Sequence, residues 1–284
     1  MSIKNALSID LEDWYHPEFV RKLISYNPKS QIIDSTKKII DLLEKYKVKA
    51  TFFILGDIAK KYPHLIKTIY NKGHEIAFHG MSHLPLWELN YNKLNKEFFR
   101  FKKIIETILG SNIKIYGFRA PTFSVDNTTK FGFKCLIEND YLYDSSIVPT
   151  KSFYYGLNNA PRSIYRPNLN NLTLNDNNSK IIEFPLTVIN FGLISIPIGG
   201  GFYMRFFPYF IYKFLLKYIN KKKRPFIIYF HPWETYYKTY RVKGIGIIKY
   251  FITYYGIKNA LIKIERLLQD FQFEPVRNVI NEFM

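Results

Sequence analysis

The sequence of 284 residues predicts an α/β protein whose parallel strands form a barrel. A pattern of strand followed by helix recurs roughly seven times along the chain. Each predicted strand is short and almost continuously apolar, which is typical of parallel strands covered on both faces. Several strands end in a polar residue, namely Asp10, His79, Arg119, Asp144, Glu183 and His231. Because the carboxyl ends of parallel barrel strands meet at one rim, we expect these side chains to converge.

The individual elements follow from apolar periodicity and from the residues that stop it. The predicted strands cover residues 6–9, 49–55, 74–78, 114–118, 141–143, 181–185 and 225–230. The predicted helices cover residues 34–47, 63–71, 92–109, 126–139 and 257–271. Pro63 suits a first helical position, Gly110 stops a helix, and Asp126 suits a helix cap. The Asn-rich stretch 168–180 predicts a solvent loop or hairpin.

The domain organisation predicted from this pattern is a single domain. The chain shows no internal repeat and no Pro/Gly/Ser-rich linker that would divide it. The motifs with chemical potential lie within residues 6–234. We therefore expect one catalytic domain over residues 1–284, with a C-terminal helical segment, residues 235–284, that completes the barrel.

Composition restricts the possible compartments and partners. The single cysteine, Cys135, excludes an internal disulfide and a cysteine metal cluster, which fits a reducing compartment. Residues 1–10 hold no apolar run of signal-peptide length, and no uncharged apolar run is long enough for a transmembrane helix. The net charge of +18 is spread along the chain, which favours compositional drift over a nucleic-acid-binding tract. We expect a cytoplasmic protein that does not bind nucleic acid.

One segment suggests contact with a membrane. Residues 206–219 are rich in aromatic side chains and precede the basic cluster 221–224. Such a helix suits an anionic membrane surface, at the inner face of the membrane for a cytoplasmic protein. A barrel helix whose apolar face packs on the core explains the same pattern, and we favour this second interpretation.

The residues with potential metal chemistry lie at two strand ends. Asp10, Glu12 and Asp13 place three carboxylates within four positions, and they repel one another unless a cation or protons neutralise them. His79 and His83, four positions apart, can reach one point. Solvated acidic turns and core histidines are the structural alternatives. Neutral imidazoles with a carboxylate suit Zn²⁺, although Co²⁺ or another first-row ion would also bind.

Four motifs in order resemble the polysaccharide deacetylase family, carbohydrate esterase family four. They are residues 8–13 (Ser-Ile-Asp-Leu-Glu-Asp), 79–83 (His-Gly-Met-Ser-His), 119–123 (Arg-Ala-Pro-Thr-Phe) and 229–231 (Tyr-Phe-His). The first motif, followed by Trp14, is most similar to a branch found near bacterial exopolysaccharide systems. The resemblance covers residues 6–234 and implies a distorted (β/α)7 barrel, similar to a TIM barrel.

The resemblance also implies the chemistry, which is hydrolysis of an N-acetyl group on a hexosamine. The hexosamine would belong to a glycan or glycan precursor, and a divalent metal ion would activate the water. It makes His79 and His83 metal ligands, with an acidic residue of the first motif as the third. Of the two acids that follow Leu11, Asp13 fits the family's habit, whereas Glu12 shares a face with Asp10 in an extended strand. We favour Asp13 and keep Glu12 as the alternative.

The remaining roles are carried over in the same way. Asp10 matches the catalytic base, Arg119 the residue that orients it, and His231 the general acid. Substrate-contacting positions beside the motifs are Trp14, Pro121, Phe123 and Trp233. The family's usual fourth motif is not evident, and Asp144-Ser145-Ser146 occupies that strand end with an open role.

Three rival interpretations remain. A related hydrolase that cleaves a cyclic or linear amide, as an allantoinase does, would share the histidine pair. A non-catalytic barrel could bind glycan or an anionic membrane through its aromatic residues and charge, but it would not need this set of acids and histidines. A glycosidase that uses Asp10 with Glu183 would leave the histidines unexplained.

Overall fold

The structure, a computed structural model, describes residues 3–24, 28–151, 155–192 and 194–283. The strands are β1 (Lys4–Leu11), β2 (Thr51–Ile54), β3 (Glu75–Phe78), β4 (Gly117–Phe118), β5 (Tyr143–Asp144), β6 (Ile182–Glu183), β7 (Ile189–Phe191), β8 (Ile194–Ile196), β9 (Ile227–Phe230) and β10 (Gln272–Glu274). Each predicted strand is present at its expected place in the chain. The hairpin β7–β8 and strand β10 were not predicted.

Twelve α-helices are present among the described residues. They are α1 (Glu18–Arg21), α2 (Ile32–Lys45), α3 (Gly56–Lys61), α4 (Pro63–Asn71), α5 (Tyr91–Leu109), α6 (Phe131–Glu138), α7 (Gly201–Phe206), α8 (Tyr209–Lys221), α9 (Pro232–Thr235), α10 (Ile247–Tyr254), α11 (Ile257–Asp270) and α12 (Val276–Phe283). Helix α6 begins five residues after Asp126, because the Asp126 side chain caps the preceding turn at Thr128 and Thr129.

Seven parallel strands curl into a half-barrel in the order β9-β1-β2-β3-β4-β5-β6. The predicted (β/α)7 architecture is therefore confirmed. Strand β1 is long enough for two partners on one edge, because residues 4–6 pair with β10 and residues 8–11 pair with β2. The C-terminal segment thus contributes a strand, β10, as well as helices.

The alternation of side chains along each strand divides the core into two layers. Ala6, Phe53, Ala77 and Tyr229 face the inside of the barrel. Their outward-facing neighbours pack under the surrounding helices. Helix α12 covers the amino ends of β2 and β3, where the backbone N–H of Val276 donates to the Thr51 hydroxyl at 2.8 Å. The carboxyl ends of the strands remain open to a cavity.

The two ends of the half-barrel sheet, β6 and β9, are linked in space by irregular chain around Thr187 and Gly199. The N–H of Gly199 donates to the Thr187 carbonyl at 3.0 Å, and the N–H of Tyr229 donates to the Gly199 carbonyl at 2.9 Å. The Thr187 hydroxyl accepts from the Ile227 N–H at 2.7 Å and donates to the Ile227 carbonyl at 2.8 Å. These four bonds hold β9, and the residues that follow it, in the barrel.

The predicted amphipathic segment 206–219 forms the end of α7 and most of α8. One face of α8 is buried through Tyr212, Leu215 and Leu216, as expected of a barrel helix. The opposite face leaves Phe210 73% and Phe214 67% exposed. Among the described residues, no helix has both the length and the apolar character needed to cross a bilayer.

Candidate active site

Several polar side chains converge on one cavity of about 630 Å³ at the carboxyl ends of the strands. Its wall includes Asp10, Glu12, His79, His83 and His231. A cavity of this volume is in the range that encloses small ligands and sugar units. Of the six polar strand ends expected to converge, Asp10, His79 and His231 line this cavity, whereas Arg119, Asp144 and Glu183 lie outside its wall.

Glu12, His79 and His83 form a cluster of potential metal ligands. One ligand atom from each lies within 4.8 Å of those of the other two, and all three side chains are buried. The Nε2 atom of His83 lies 3.2 Å from Oε2 of Glu12. Within the described part of the chain, this buried Oε2 has no hydrogen-bond partner. A buried carboxylate oxygen without a donor is costly, and a cation in the cluster would satisfy it.

The protonation states of the cluster suit a cation. Burial lowers the pKa of His79, and it lowers the pKa of His83 to about 3, so both imidazoles are neutral at neutral pH. Burial alone would raise the pKa of Glu12, but the positive charge of His231 beside it holds that pKa well below its usual range. Two neutral imidazoles and one carboxylate are the donor set of three-ligand zinc sites, and they also accept Co²⁺. The residues present therefore fit a divalent ion.

Hydrogen bonding fixes the orientation of His79. Its Nδ1 donates to the Arg119 carbonyl at 2.8 Å, which leaves the Nε2 lone pair directed into the cluster. Backbone carbonyls commonly orient metal-binding histidines in this way. The bond also links the histidine loop to the loop that follows β4.

The loop that carries both histidines adopts an unusual backbone. Gly80 has a φ of +78°, and His83 has a φ of +60°, which is uncommon for a residue with a side chain. Helix α3 supports this loop, because the N–H groups of Gly56 and Asp57 donate to the carbonyls of Gly80 and Met81 at 3.0 and 2.9 Å. A left-handed conformation that persists at a binding loop is typical of functional sites.

Asp13, which we favour from the sequence as the third ligand, lies outside the cluster of Glu12, His79 and His83. The Asp13 carboxylate accepts hydrogen bonds from the backbone N–H groups of Trp14 and Gln31 and from the Ser30 hydroxyl. These bonds direct it to the start of α2 and away from the histidines. Glu12, the alternative, lies in the cluster, just after the end of β1, where the chain turns and the Glu12 N–H donates to the Asp10 carbonyl at 2.9 Å.

Asp10 and Arg119 form the predicted ion pair at the bottom of the cavity. Nη1 of Arg119 donates to Oδ1 of Asp10 at 2.6 Å and to the Ser8 hydroxyl at 3.0 Å. The same guanidinium donates to the carbonyl and hydroxyl of Ser145 at 2.9 and 3.0 Å. The second Asp10 oxygen, Oδ2, lies 3.8 Å from Nε2 of His79 and 4.0 Å from Nε2 of His231. One carboxylate oxygen is thus fixed by Arg119, and the other lies among the cavity groups.

His231 is held between two carboxylates. Its Nε2 lies 2.6 Å from Oε1 of Glu12, and its Nδ1 lies 2.8 Å from Oε2 of Glu234. Burial alone would lower the pKa of His231, but Glu12 and Glu234 raise it well above its usual value. Arg205 in turn pairs with Oε1 of Glu234 at 2.8 Å. The imidazole is therefore protonated and oriented, as a proton donor must be.

Glu234 and Arg205 were not among the predicted site residues. The signal for Glu234 was its position three residues after His231, because a carboxylate at that spacing caps the helix start and reaches the histidine. Arg205 offered no local signal. It is brought to the site by α7, far away in the sequence.

Asp144, whose role was open, supports the site from behind. Its Oδ1 accepts from the Ser146 hydroxyl at 2.7 Å, and that hydroxyl accepts from the Ala120 N–H at 2.7 Å. Glu183 lies beside it but outside the cavity wall, and burial together with the Asp144 charge raises the pKa of Glu183 well above its usual value. A glycosidase that pairs Asp10 with Glu183 is therefore not supported.

The predicted substrate contacts divide into two groups. Phe123 and Trp233 line the cavity. Trp14 does not, because its indole N–H donates to the Lys29 carbonyl at 3.0 Å and its ring packs in a buried cluster with Trp233. Pro121 is also outside the wall and instead packs against Gly80. The structure therefore places Trp14 and Pro121 outside the cavity wall, where direct contact with a bound substrate is not expected. The cavity wall also includes four apolar residues that the sequence did not indicate, namely Phe19, Phe202, Ile248 and Ile252.

This fold and site define a parallel β/α half-barrel protein with a candidate metal centre at the carboxyl ends of its strands. Residues 28–136 match the family model described as polysaccharide deacetylase, and this region contains His79, His83 and Arg119. Residues 145–281, which contain His231, match a second model described as a domain of unknown function (DUF3473). Residues 28–136 are thus similar to the polysaccharide deacetylase family, in agreement with the resemblance seen in the motifs.

Individual proteins support the same assignment. A peptidoglycan-N-acetylglucosamine deacetylase of Bacillus cereus is 37% identical over 78 residues, which are 28% of this chain and 28% of that protein. The match thus spans less than a third of that relative's length. A candidate polysaccharide deacetylase from Mycobacterium smegmatis has a similar structure, with a TM-score of 0.60 at 16% identity over 98% of this chain and 90% of that chain.

A solved peptidoglycan N-acetylglucosamine deacetylase is also similar in structure. Its TM-score is 0.51 at 17% identity, and the match covers 98% of this chain and 88% of that chain. At these identities the two structures establish a shared fold.

Proposed function

We propose that this protein is a divalent-metal-dependent hydrolase that removes the N-acetyl group from an N-acetylated hexosamine of a glycan or glycan precursor. One observation carries the proposal. The Glu12–His79–His83 cluster, the Asp10–Arg119 pair and the protonated His231 all meet at a single cavity. The deacetylase relatives support the choice of an N-acetyl sugar over a cyclic amide, because their names specify N-acetylglucosamine.

The residues of the cavity divide the chemical work. A divalent ion held by Glu12, His79 and His83 would supply Lewis-acid activation of water and of the acetyl carbonyl. Asp10 accepts the proton from the attacking water through its free oxygen, while Arg119 keeps the other oxygen in place. Water oxygen bonds to the acetyl carbon and the C–N bond breaks.

His231 acts on the leaving group. As the C–N bond breaks, the protonated imidazole donates its proton to the departing amine, so that acetate and a free amino sugar result. Glu234 fixes the imidazole through Nδ1 and leaves Nε2 as the donating atom. The cytoplasmic location expected from the sequence is part of the proposal, and the buried thiol of Cys135 is compatible with it.

The first experiment measures metal content and acetate release for three proteins. We expect about one divalent ion per wild-type chain and almost none in His79→Ala, since the remaining two ligands hold an ion weakly. Asp10→Asn should keep the ion and lose turnover by about a hundredfold or more, because it removes the base without touching the cluster. The assay is acetate released from soluble N-acetylglucosamine oligomers in the presence of Zn²⁺ or Co²⁺.

His64→Ala is the matched control, because His64 is an exposed histidine on α4. It should retain both metal and activity. Full turnover by His79→Ala would refute the assignment of the site. A wild-type protein without bound metal, and without activity after addition of either ion, would favour the non-catalytic interpretation.

A further inference from the structure

A surface beside the active site combines exposed apolar and basic side chains. We call it the α10 surface, and it consists of Lys243, Ile247, Ile248, Lys249, Phe251 and Tyr255. Ile247 is 89% exposed and Ile248 is 76% exposed. Two adjacent isoleucines at the start of a helix rarely stay in water, because apolar surface in contact with solvent is unfavourable. Their exposure indicates a partner.

Helix α10 is firmly attached to the barrel, so the exposed face is a fixed feature of the fold. Its C-terminal residues Thr253 and Tyr254 are buried, and the Tyr254 hydroxyl accepts from the Val242 N–H at 2.9 Å. Arg205 donates to the carbonyls of Ile252 and Tyr255. The same arginine pairs with Glu234, which holds His231. The α10 surface is thus tied directly to the residues that orient the proton donor.

The charge around α10 identifies the kind of partner. Between Glu234 and Glu265 the chain carries Arg241 and lysines at positions 238, 243, 249, 258 and 263, and it has no carboxylate. A second copy of this chain would bring the same charges and would be repelled. Exposed tyrosines and aliphatic side chains interspersed with lysines instead match the interface of an anionic bilayer, where lysines contact headgroups.

The α10 surface is continuous with the catalytic cavity. Ile248, Lys249 and Ile252 line that cavity together with Asp10 and His231. A bilayer in contact with α10 would therefore lie at the mouth of the cavity. A sugar attached to a membrane lipid could enter the polar end of the cavity while its lipid portion follows the apolar wall of Phe202 and Ile248.

We propose that the α10 surface docks the active site on an anionic bilayer, and that the substrate is an N-acetylated sugar carried on a lipid. The substrate part rests on the proposed deacetylase function, whereas docking stands on the surface alone. Docking through side chains on one face of a helix is peripheral and reversible.

The test begins with binding of the whole protein to sedimented vesicles. We expect binding to vesicles that contain phosphatidylglycerol and at least tenfold weaker binding to vesicles of phosphatidylcholine alone, with a further decrease from about 0.01 M to 0.15 M salt because screening weakens the lysine contacts. The double variant Ile247→Glu/Lys243→Glu should lose binding by at least tenfold. Phe99→Glu/Leu174→Glu, which alters two exposed apolar residues elsewhere, should bind as the wild type does.

A second measurement compares acetate release from a lipid-linked N-acetylglucosamine in vesicles with release from soluble N-acetylglucosamine oligomers. Ile247→Glu/Lys243→Glu should lower the ratio of the two rates at least tenfold. An unchanged ratio would overturn the lipid-carried substrate. Equal binding to both vesicle types, or to neither, would overturn the docking. Absence of acetate from both substrates would refute the proposed function, and lipid-selective binding would still support docking.

Discussion

The single backbone N–H of Gln31 is shared between the two carboxylate oxygens of Asp13, at 3.1 and 3.2 Å, and the Trp14 N–H donates to one of them. The Asp13 carboxylate therefore acts as an anchor for the start of α2. The adjacent carboxylate of Glu12 has one oxygen on His231 and the other facing His83. Two neighbouring acids thus have separate tasks, one in the fold and one in the cavity.

This division predicts opposite behaviour for two isosteric substitutions. Glu12→Gln should lower metal affinity at least tenfold, because the amide carries no charge for the cation. Asp13→Asn should keep the metal and instead lower the free energy of unfolding by about 1 kcal/mol, as expected when a helix-start anchor is weakened. Metal titration and urea unfolding of both variants provide the measurements. Loss of metal from Asp13→Asn, with retention in Glu12→Gln, would reverse the assignment.

The choice between these two acids shows what the sequence could predict at this scale. The alternation of an extended strand predicts Glu12 on the face of Asp10, and both side chains line the cavity, although the chain turns between them. The family's preference for an aspartate points to Asp13, whose carboxylate instead bonds to the backbone at the start of α2. No local rule could place Arg205 at the site, because its contact with Glu234 depends on how α7 packs beside β9.

At the scale of single elements, the loop 79–83 depends on a glycine. Gly80 has a left-handed backbone, and a Cβ at this position would lie 2.9 Å from Cγ of Pro121. The loop after β3 and the loop after β4 are therefore in direct contact at this glycine. Since His79 also bonds to the Arg119 carbonyl, a displacement here would move the ligands relative to Asp10 and Arg119.

We therefore expect Gly80→Ala to lower metal affinity about tenfold, because the added methyl group pushes the histidine loop away from Pro121. It should also lower the free energy of unfolding by roughly 1 kcal/mol, since alanine is strained in the left-handed region. Gly110→Ala is the matched control, because Gly110 also has a positive φ and its Cβ would meet no atom within 4 Å. Calorimetric metal titration of both variants measures the two metal affinities. Equal metal affinities would show that the contact with Pro121 does not position the ligands.

At the scale of the whole molecule, the sequence predicted the repeated part of the barrel. The seven apolar strands and the convergence of their polar ends follow from hydrophobic pattern and from the geometry of parallel strands. The closure through Thr187 and Gly199 could not be predicted, because it depends on single hydrogen bonds to Ile227 and Tyr229, which are distant in sequence. The hairpin β7–β8 pairs residues close in sequence, from Ile189 with Ile196 to Phe191 with Ile194, and the apolar pattern did not identify it. The pairing of β10 with β1 could not be predicted either, because Gln272–Glu274 pair with residues at the other end of the sequence.

The closure between β6 and β9 determines how firmly His231 is held, since β9 ends at Phe230. Thr187→Val keeps the shape of the side chain but leaves the buried N–H and carbonyl of Ile227 without their hydroxyl partner. We expect a loss of about 2 kcal/mol in the free energy of unfolding, the usual cost of stranding buried backbone groups. Amide hydrogen exchange along β9 should accelerate, because one edge of this strand would be released.

Thr107→Val is the control, because the Thr107 hydroxyl donates to a carbonyl on the exposed face of α5. It should lower the free energy of unfolding by less than about 0.5 kcal/mol. If both variants lost the same stability and exchange along β9 stayed slow, the ladder between β1 and β9 alone would be sufficient to hold His231 at the cavity.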